Sequence, residues 1–211
     1  MKRRILVLAA AAVAVAGLLA QTQTQRPASP PGTAATQVGG KYVQTQSGGQ
    51  RYQDGKWIEV TYGRPIKRGR QNLFGSGADY GKTLNDDGPV WRAGANRTTR
   101  LNTEVPLIFD GKTLPPGEYC VFVDLKENAW TLIISNWPAQ EKYDPKNKEA
   151  LWGSYGYTPD KDVLRAPMKL DALPFSMDQF TIAFVDMTDE SGKLAMMWDK
   201  TMTTVAFKVG S

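Results

Sequence analysis

The chain has 211 residues, 41% of them hydrophobic, with no His and a single Cys. That composition excludes Ser-His-Asp and Cys-His nucleophile systems, the commonest zinc and copper ligands, thiolate metal clusters and any intramolecular disulfide. The formal net charge of +5 falls to +2 if Lys2, Arg3 and Arg4 are removed with a leader, too little to argue for a nucleic-acid partner.

Met1-Lys2-Arg3-Arg4 precedes an uncharged run from Ile5 to Ala20, the pattern of a secretory signal peptide over residues 1–20. The run is short for a bilayer-spanning helix, so the mature chain is expected to lack a transmembrane segment and to be periplasmic or secreted. Residues 21–38, rich in Gln, Thr, Pro and Ala, read as a disordered linker. Residues 39–211 then form a single domain.

From Lys41 onward, short runs of β-branched and aromatic residues alternate with Gly, Pro, Asn and Asp. Ile58, Val60 and Tyr62 fall on one strand face, as do Tyr119, Val121 and Val123. In Ala129 to Ser135 both faces are largely apolar, which predicts a central strand. Phe180, Ile182 and Phe184 mark another, and Leu194, Met196, Trp198 with Val205, Phe207, Val209 predict a C-terminal pair. Asp54-Gly55, Asp110-Gly111, Pro115-Pro116-Gly117 and Asp189-Glu190-Ser191-Gly192 supply turn chemistry. The expected fold is all-β: an antiparallel β-sandwich, or flattened barrel, of about ten short strands. The long irregular stretches, Gly63 to Pro89 and Asn136 to Gly153, are the places for function or covering elements.

Charge is unevenly placed. Residues 51–100 hold ten basic and five acidic residues, whereas residues 101–211 hold eleven basic and sixteen acidic. Either the two segments pair inside the fold, or the basic one faces an anionic ligand. Arg64 to Arg70 concentrates four cations around Pro65 and Gly69, and arginine suits bidentate contact with carboxylate or phosphate. Trp91-Arg92-Ala93-Gly94-Ala95-Asn96-Arg97-Thr98 places an indole beside a guanidinium, then small residues, an amide and a hydroxyl. The candidate ligand-binding residues are therefore Arg64, Arg70, Trp91, Arg92, Asn96 and Thr98. The competing structural reading makes the arginines internal partners of acidic residues.

The strings Tyr62-Gly63-Arg64-Pro65, Trp91-Arg92-x-Gly94-Ala95-Asn96, Trp152-Gly153, Asp162-Val163-Leu164-Arg165 and Trp198 resemble a bacterial family known as domain of unknown function 2911, over about Lys41 to Val209. The resemblance implies an exported protein and carries no activity. Extra residues around Asp79 to Asp87 depart from the family pattern.

Gly75 to Gly81 has the wrong spacing for a phosphate loop, and Asn85-Asp86-Asp87-Gly88 lacks the ordered ligands of a calcium loop. Six methionines from Met168 to Met202 suit core filling better than Cu(I) binding. No metal or cofactor is expected, and no catalytic residue is identified. The sequence points to a non-catalytic binding or structural protein of the envelope, with an anionic small molecule or glycan as partner class. Alternatives are a carbohydrate-active enzyme with an unidentified carboxylate pair, using Trp91, Trp137 and Trp152 for sugar, and an interaction module without a small-ligand site. Oligomeric state is not encoded legibly.

Overall fold

The computed structural model describes residues 27–86 and 88–210, so the expected leader and residues 21–26 of the linker lie outside the described residues. The fold is all-β. Three antiparallel sheets contain every described strand.

The first sheet has six strands, in the order β1 (Pro31–Val38), β4 (Lys56–Gly63), β5 (Thr99–Thr103), β8 (Gly117–Asp124), β9 (Thr131–Ser135) and β10 (Asp162–Pro167). The second has four, β11 (Lys169–Val185), β12 (Ser191–Val209), β6 (Leu107–Phe109) and β7 (Lys112–Leu114). A separate hairpin pairs β2 (Lys41–Gln44) with β3 (Gln50–Gln53). Neither large sheet closes on itself, so the architecture is an open sandwich rather than a barrel. No helix among the described residues is long and apolar enough to cross a membrane.

Alternation creates the core. Ile58, Val60 and Tyr62 of β4, with Leu101, Val121, Leu132 and Ile134, meet Phe109, Phe180, Leu194, Met196 and Phe207 of the smaller sheet. Removing these side chains from water supplies the main driving force for joining the sheets. On the outer face of the six-stranded sheet, Cys120, Phe122 and Ile133 pack beneath the 136–161 loop with Leu151 and Tyr157, forming a second core. This explains why β8 and β9 are apolar on both faces.

Three expectations change. The linker expected through residue 38 is shorter, because Pro31–Val38 pairs along its whole length with β4 and buries Ala34 and Val38. Its Ala and Thr content conceals a strand that gains its hydrogen bonds from a partner. The C-terminal pair is one strand, β12, with Asp199 at φ 51° marking the irregularity between its two apolar stretches. Its partner β11 is also longer than the alternation suggested, with a register shift between Ala172 and Met177 that contains Pro174. The irregular stretch after β4 contains a 3-10 turn, Gly77–Asp79, and one short α-helix, α1 (Lys82–Asn85).

Candidate functional site

Trp91 begins the site because the chain there is neither strand nor free loop. Its N–H donates to the Val123 carbonyl at 2.9 Å and its carbonyl accepts from the Val123 N–H at 2.8 Å, which docks the segment beside β8. The indole is only 1% exposed and donates to the Gly94 carbonyl at 3.2 Å. It contacts Phe180 edge-on at 5.0 Å between ring centroids and stacks on Trp198. Trp91 is thus the floor of a cleft and cannot offer its face to a sugar.

Small residues then let two backbones meet. A Cβ on Gly63 would stand 1.9 Å from the Ala95 carbonyl oxygen, so glycine is what permits this approach. Asn96 follows at φ 63°, a left-handed position that asparagine tolerates.

The side chains of Arg70, Trp91, Arg92 and Asn96 line one cleft of about 280 Å³, together with Asp86 and Trp198. Arg92 is 7% exposed and heavily engaged. Its Nη2 donates to Asp86 Oδ2 at 3.0 Å and its Nη1 to the Asn96 carbonyl at 3.3 Å, while its guanidinium lies 5.3 Å from the Tyr155 ring centroid. Gly153, at φ 63°, makes room for that guanidinium: a Cβ there would approach Nη1 to 2.6 Å. The Tyr155 hydroxyl also donates to Asp86. That bond, with Arg92 assisting, holds the Asp86 carboxyl below the usual carboxylate range against the opposing effect of burial. Across the cleft, Arg70 curls back so that Nε donates to the Lys67 carbonyl at 3.1 Å and Nη2 to Ile66 at 3.0 Å, with its guanidinium 5.4 Å from the Trp198 ring. Asn96 Nδ2 donates to the Ser29 carbonyl at 3.4 Å.

Two of the expected site residues lie elsewhere. Arg64 leaves the cleft: Nε donates to the Phe180 carbonyl at 3.4 Å and Nη2 to Thr181 Oγ1 at 3.3 Å, which fastens the end of β4 to β11. Thr98 is buried with its hydroxyl between the Leu151 and Gly153 carbonyls, at 3.0 and 2.9 Å, and secures the second long loop. In both, donors that suit a ligand are used on carbonyls of distant chain segments.

Sequence reading missed Asp86 and Tyr155 as partners of Arg92. It also missed two charged clusters. Lys67 Nζ contacts Asp199 Oδ1 at 2.5 Å and Ser176 Oγ at 3.3 Å, while Ser176 donates to Asp199 at 2.6 Å. Tyr157 and Arg165 both donate to Asp162, and burial is the main reason the Tyr157 hydroxyl is held well above its ordinary pKa. The uneven charge distribution carried part of this signal. Lys67–Asp199, Arg97–Glu141, Arg100–Glu118 and Arg100–Glu141 each join the basic segment to the acidic one.

Neither Trp137 nor Cys120 is free for chemistry. Lys161 Nζ sits 3.7 Å from the Trp137 ring centroid, and burial pushes the Cys120 thiol up to about 12, with Sγ donating to the Trp137 carbonyl at 2.8 Å. Among the described residues, no group of three or more Cys, Asp or Glu side chains converges where it could hold a metal ion.

An open antiparallel sandwich with an arginine-rimmed cleft over a tryptophan floor is the class that fold and geometry define. A family model described as "Protein of unknown function (DUF2911)" matches residues 44–207, and the chain belongs to that family. No curated protein and no solved structure matches it.

Proposed function

We propose that this is an exported, non-catalytic binding protein of the bacterial envelope that takes a small anion, such as a carboxylate or phosphate, in the Arg70–Arg92 cleft. The observation that supports it is donor excess at one place. Each guanidinium has five N–H donors, and at Arg70 and at Arg92 two are used by described protein acceptors. Asn96 adds an amide at the same rim, and the buried Trp91 floor lowers the local polarity, strengthening charge-assisted bonds. Asp86 orients Arg92 and partly offsets its charge, so a monoanion fits the balance better than a polyanion.

The test is isothermal titration with acetate, citrate, sulfate and inorganic phosphate at low ionic strength. Binding that is lost in Arg70→Ala and weakened in Asn96→Ala, with unchanged unfolding midpoints, is the expected result. Equal affinity in both variants would mean that the cleft is structural.

A further inference from the structure

A second cleft lies on the far side of Tyr155, within the loop that connects β9 to β10. Gln140, nearly buried, organises this loop from within: Nε2 donates to the carbonyls of Asn147 at 3.1 Å and Ala150 at 2.8 Å, and Oε1 accepts from the Asp144 N–H at 2.8 Å. Asn147 Oδ1 accepts from the N–H groups of Glu149 and Ala150, and Asp144 Oδ1 from that of Lys146. The loop is therefore fixed by its own side chains, and a ligand would not have to order it.

The cleft has a volume of about 180 Å³ and is walled by Tyr143, Trp152 and Tyr155, with Asp144, Asn147 and Lys148 around it. Tyr143 is 55% exposed and Tyr155 47%, so two of the five exposed large hydrophobic side chains of the described residues gather here. The Tyr143 and Trp152 rings lie 5.7 Å apart at 49°, an open angle rather than a closed stack. Trp91, Trp130, Trp137 and Trp198 each donate their indole N–H to a protein acceptor, whereas those of Trp152 and the exposed Trp57 have none among the described residues. Lys148 likewise forms no ion pair among the described residues.

We infer that this cleft binds a saccharide, with one pyranose ring against Trp152 and Tyr143. Such a ring presents a face of C–H groups to an aromatic side chain and an edge of hydroxyls to an amide, a carboxylate or an ammonium group. All of these border the cleft. A wholly apolar ligand would cover the Asp144 carboxylate and the Lys148 ammonium that border the cleft without replacing their hydration, which is costly. The volume lies below the roughly 300 Å³ at which pockets for drug-sized ligands begin, so a single sugar unit is held and the rest of an oligosaccharide extends into solvent. The two clefts share no lining residue; Tyr155 stands between them, its ring bordering this cleft and carrying the Arg92 guanidinium, its hydroxyl committed to Asp86.

Saturation-transfer NMR on the full chain, with cellotetraose, chitotetraose and maltotetraose as probes at millimolar concentration, tests the inference. Transfer to ring C–H protons of at least one probe is expected, with about tenfold or greater weakening in Tyr143→Ala and in Trp152→Ala and no change in Arg70→Ala. Tyr143 is exposed, so its variant should fold normally and decides the matter if Trp152→Ala does not fold. No transfer from any of the three probes, or transfer undiminished in folded Tyr143→Ala, would overturn the saccharide site. Neither result bears on anion binding, which Arg70→Ala reads separately.

Discussion

The indoles of Trp91 and Trp198 lie almost parallel, with centroids 6.3 Å apart and an interplanar angle of 9°, although one belongs to the irregular segment before β5 and the other to β12. The pair joins the cleft floor to the core between the sheets. Phe180 and Trp130 pack around it, so the site inherits its rigidity from the most buried part of the sandwich.

Stability should separate floor from rim. Trp91→Ala removes a fully buried aromatic and is expected to cost about 3–5 kcal/mol, whereas Arg70→Ala, on the exposed rim, should stay within about 0.5 kcal/mol. Urea denaturation of both variants checks this. A small effect at Trp91 would mean that the indole stack is not formed.

Arg92 lies between those extremes. Its partner Asp86 is more than half exposed, so truncating the arginine leaves a carboxylate that water can solvate rather than a fully stranded charge. Arg92→Ala is expected to lose about 1–3 kcal/mol. Asp86→Asn should reproduce part of that loss, and the double variant should be less destabilised than the sum of the two. Strict additivity in a double-mutant cycle would deny the pair any coupling.

Outside the cleft, Lys67 first and Ser176 second hold the Asp199 carboxyl below its ordinary value. A carboxyl whose folded pKa is depressed contributes stability that is complete above its unfolded pKa of about 3.9 and disappears as pH falls through the lower folded value. Asp199→Asn should therefore be less stable than wild type near neutrality, and the difference should narrow below about pH 4. Chemical unfolding across the acid range reads this directly, and a constant difference down to the folded value would contradict the assignment.

Gly63→Ala is expected to be among the most damaging single-methyl changes in the chain. The added carbon would overlap the Ala95 carbonyl oxygen, and backbone cannot move aside as a flexible side chain can. A loss exceeding about 4 kcal/mol, or failure to accumulate folded protein, is the expected outcome. A normal melting temperature would show that the two segments are not in contact.

Strands buried on one or both faces were legible because each carries its period in its own residues. Ile58, Val60 and Tyr62 announce β4, and Leu132, Ile133 and Ile134 announce an interior strand. β1 was not legible: Ala34 and Val38 become core residues only when Ile58 and Lys56 are aligned opposite the strand's Thr36 and Val38. At the site, the residue types were right, but their assignments depended on distant partners. Arg64 and Arg70 have identical chemistry at the start and the end of the same basic run, yet one reaches β11 and the other turns back over Trp198. Nothing local distinguishes them. Asp86 sits in an irregular segment without periodicity, and its match to Arg92 exists only after the chain has turned.

The Tyr62-Gly63-Arg64-Pro65 string also governs how β11 meets its surroundings. β11 is the edge of the four-stranded sheet, and its outward backbone groups would be a template for another chain. From Asp178 to Ile182 they are already taken: the Ile182 N–H donates to the Tyr62 hydroxyl at 2.9 Å, the Phe180 N–H to the Pro65 carbonyl at 2.9 Å, and the Asp178 carbonyl accepts from the Lys67 N–H at 2.6 Å. Farther along, Pro174 has no N–H to offer and sits within the register shift. A segment that reads as a ligand-binding motif thus also works as a guard against edge-to-edge aggregation, and substitutions in it should be monitored for fibril or oligomer growth as well as for lost binding.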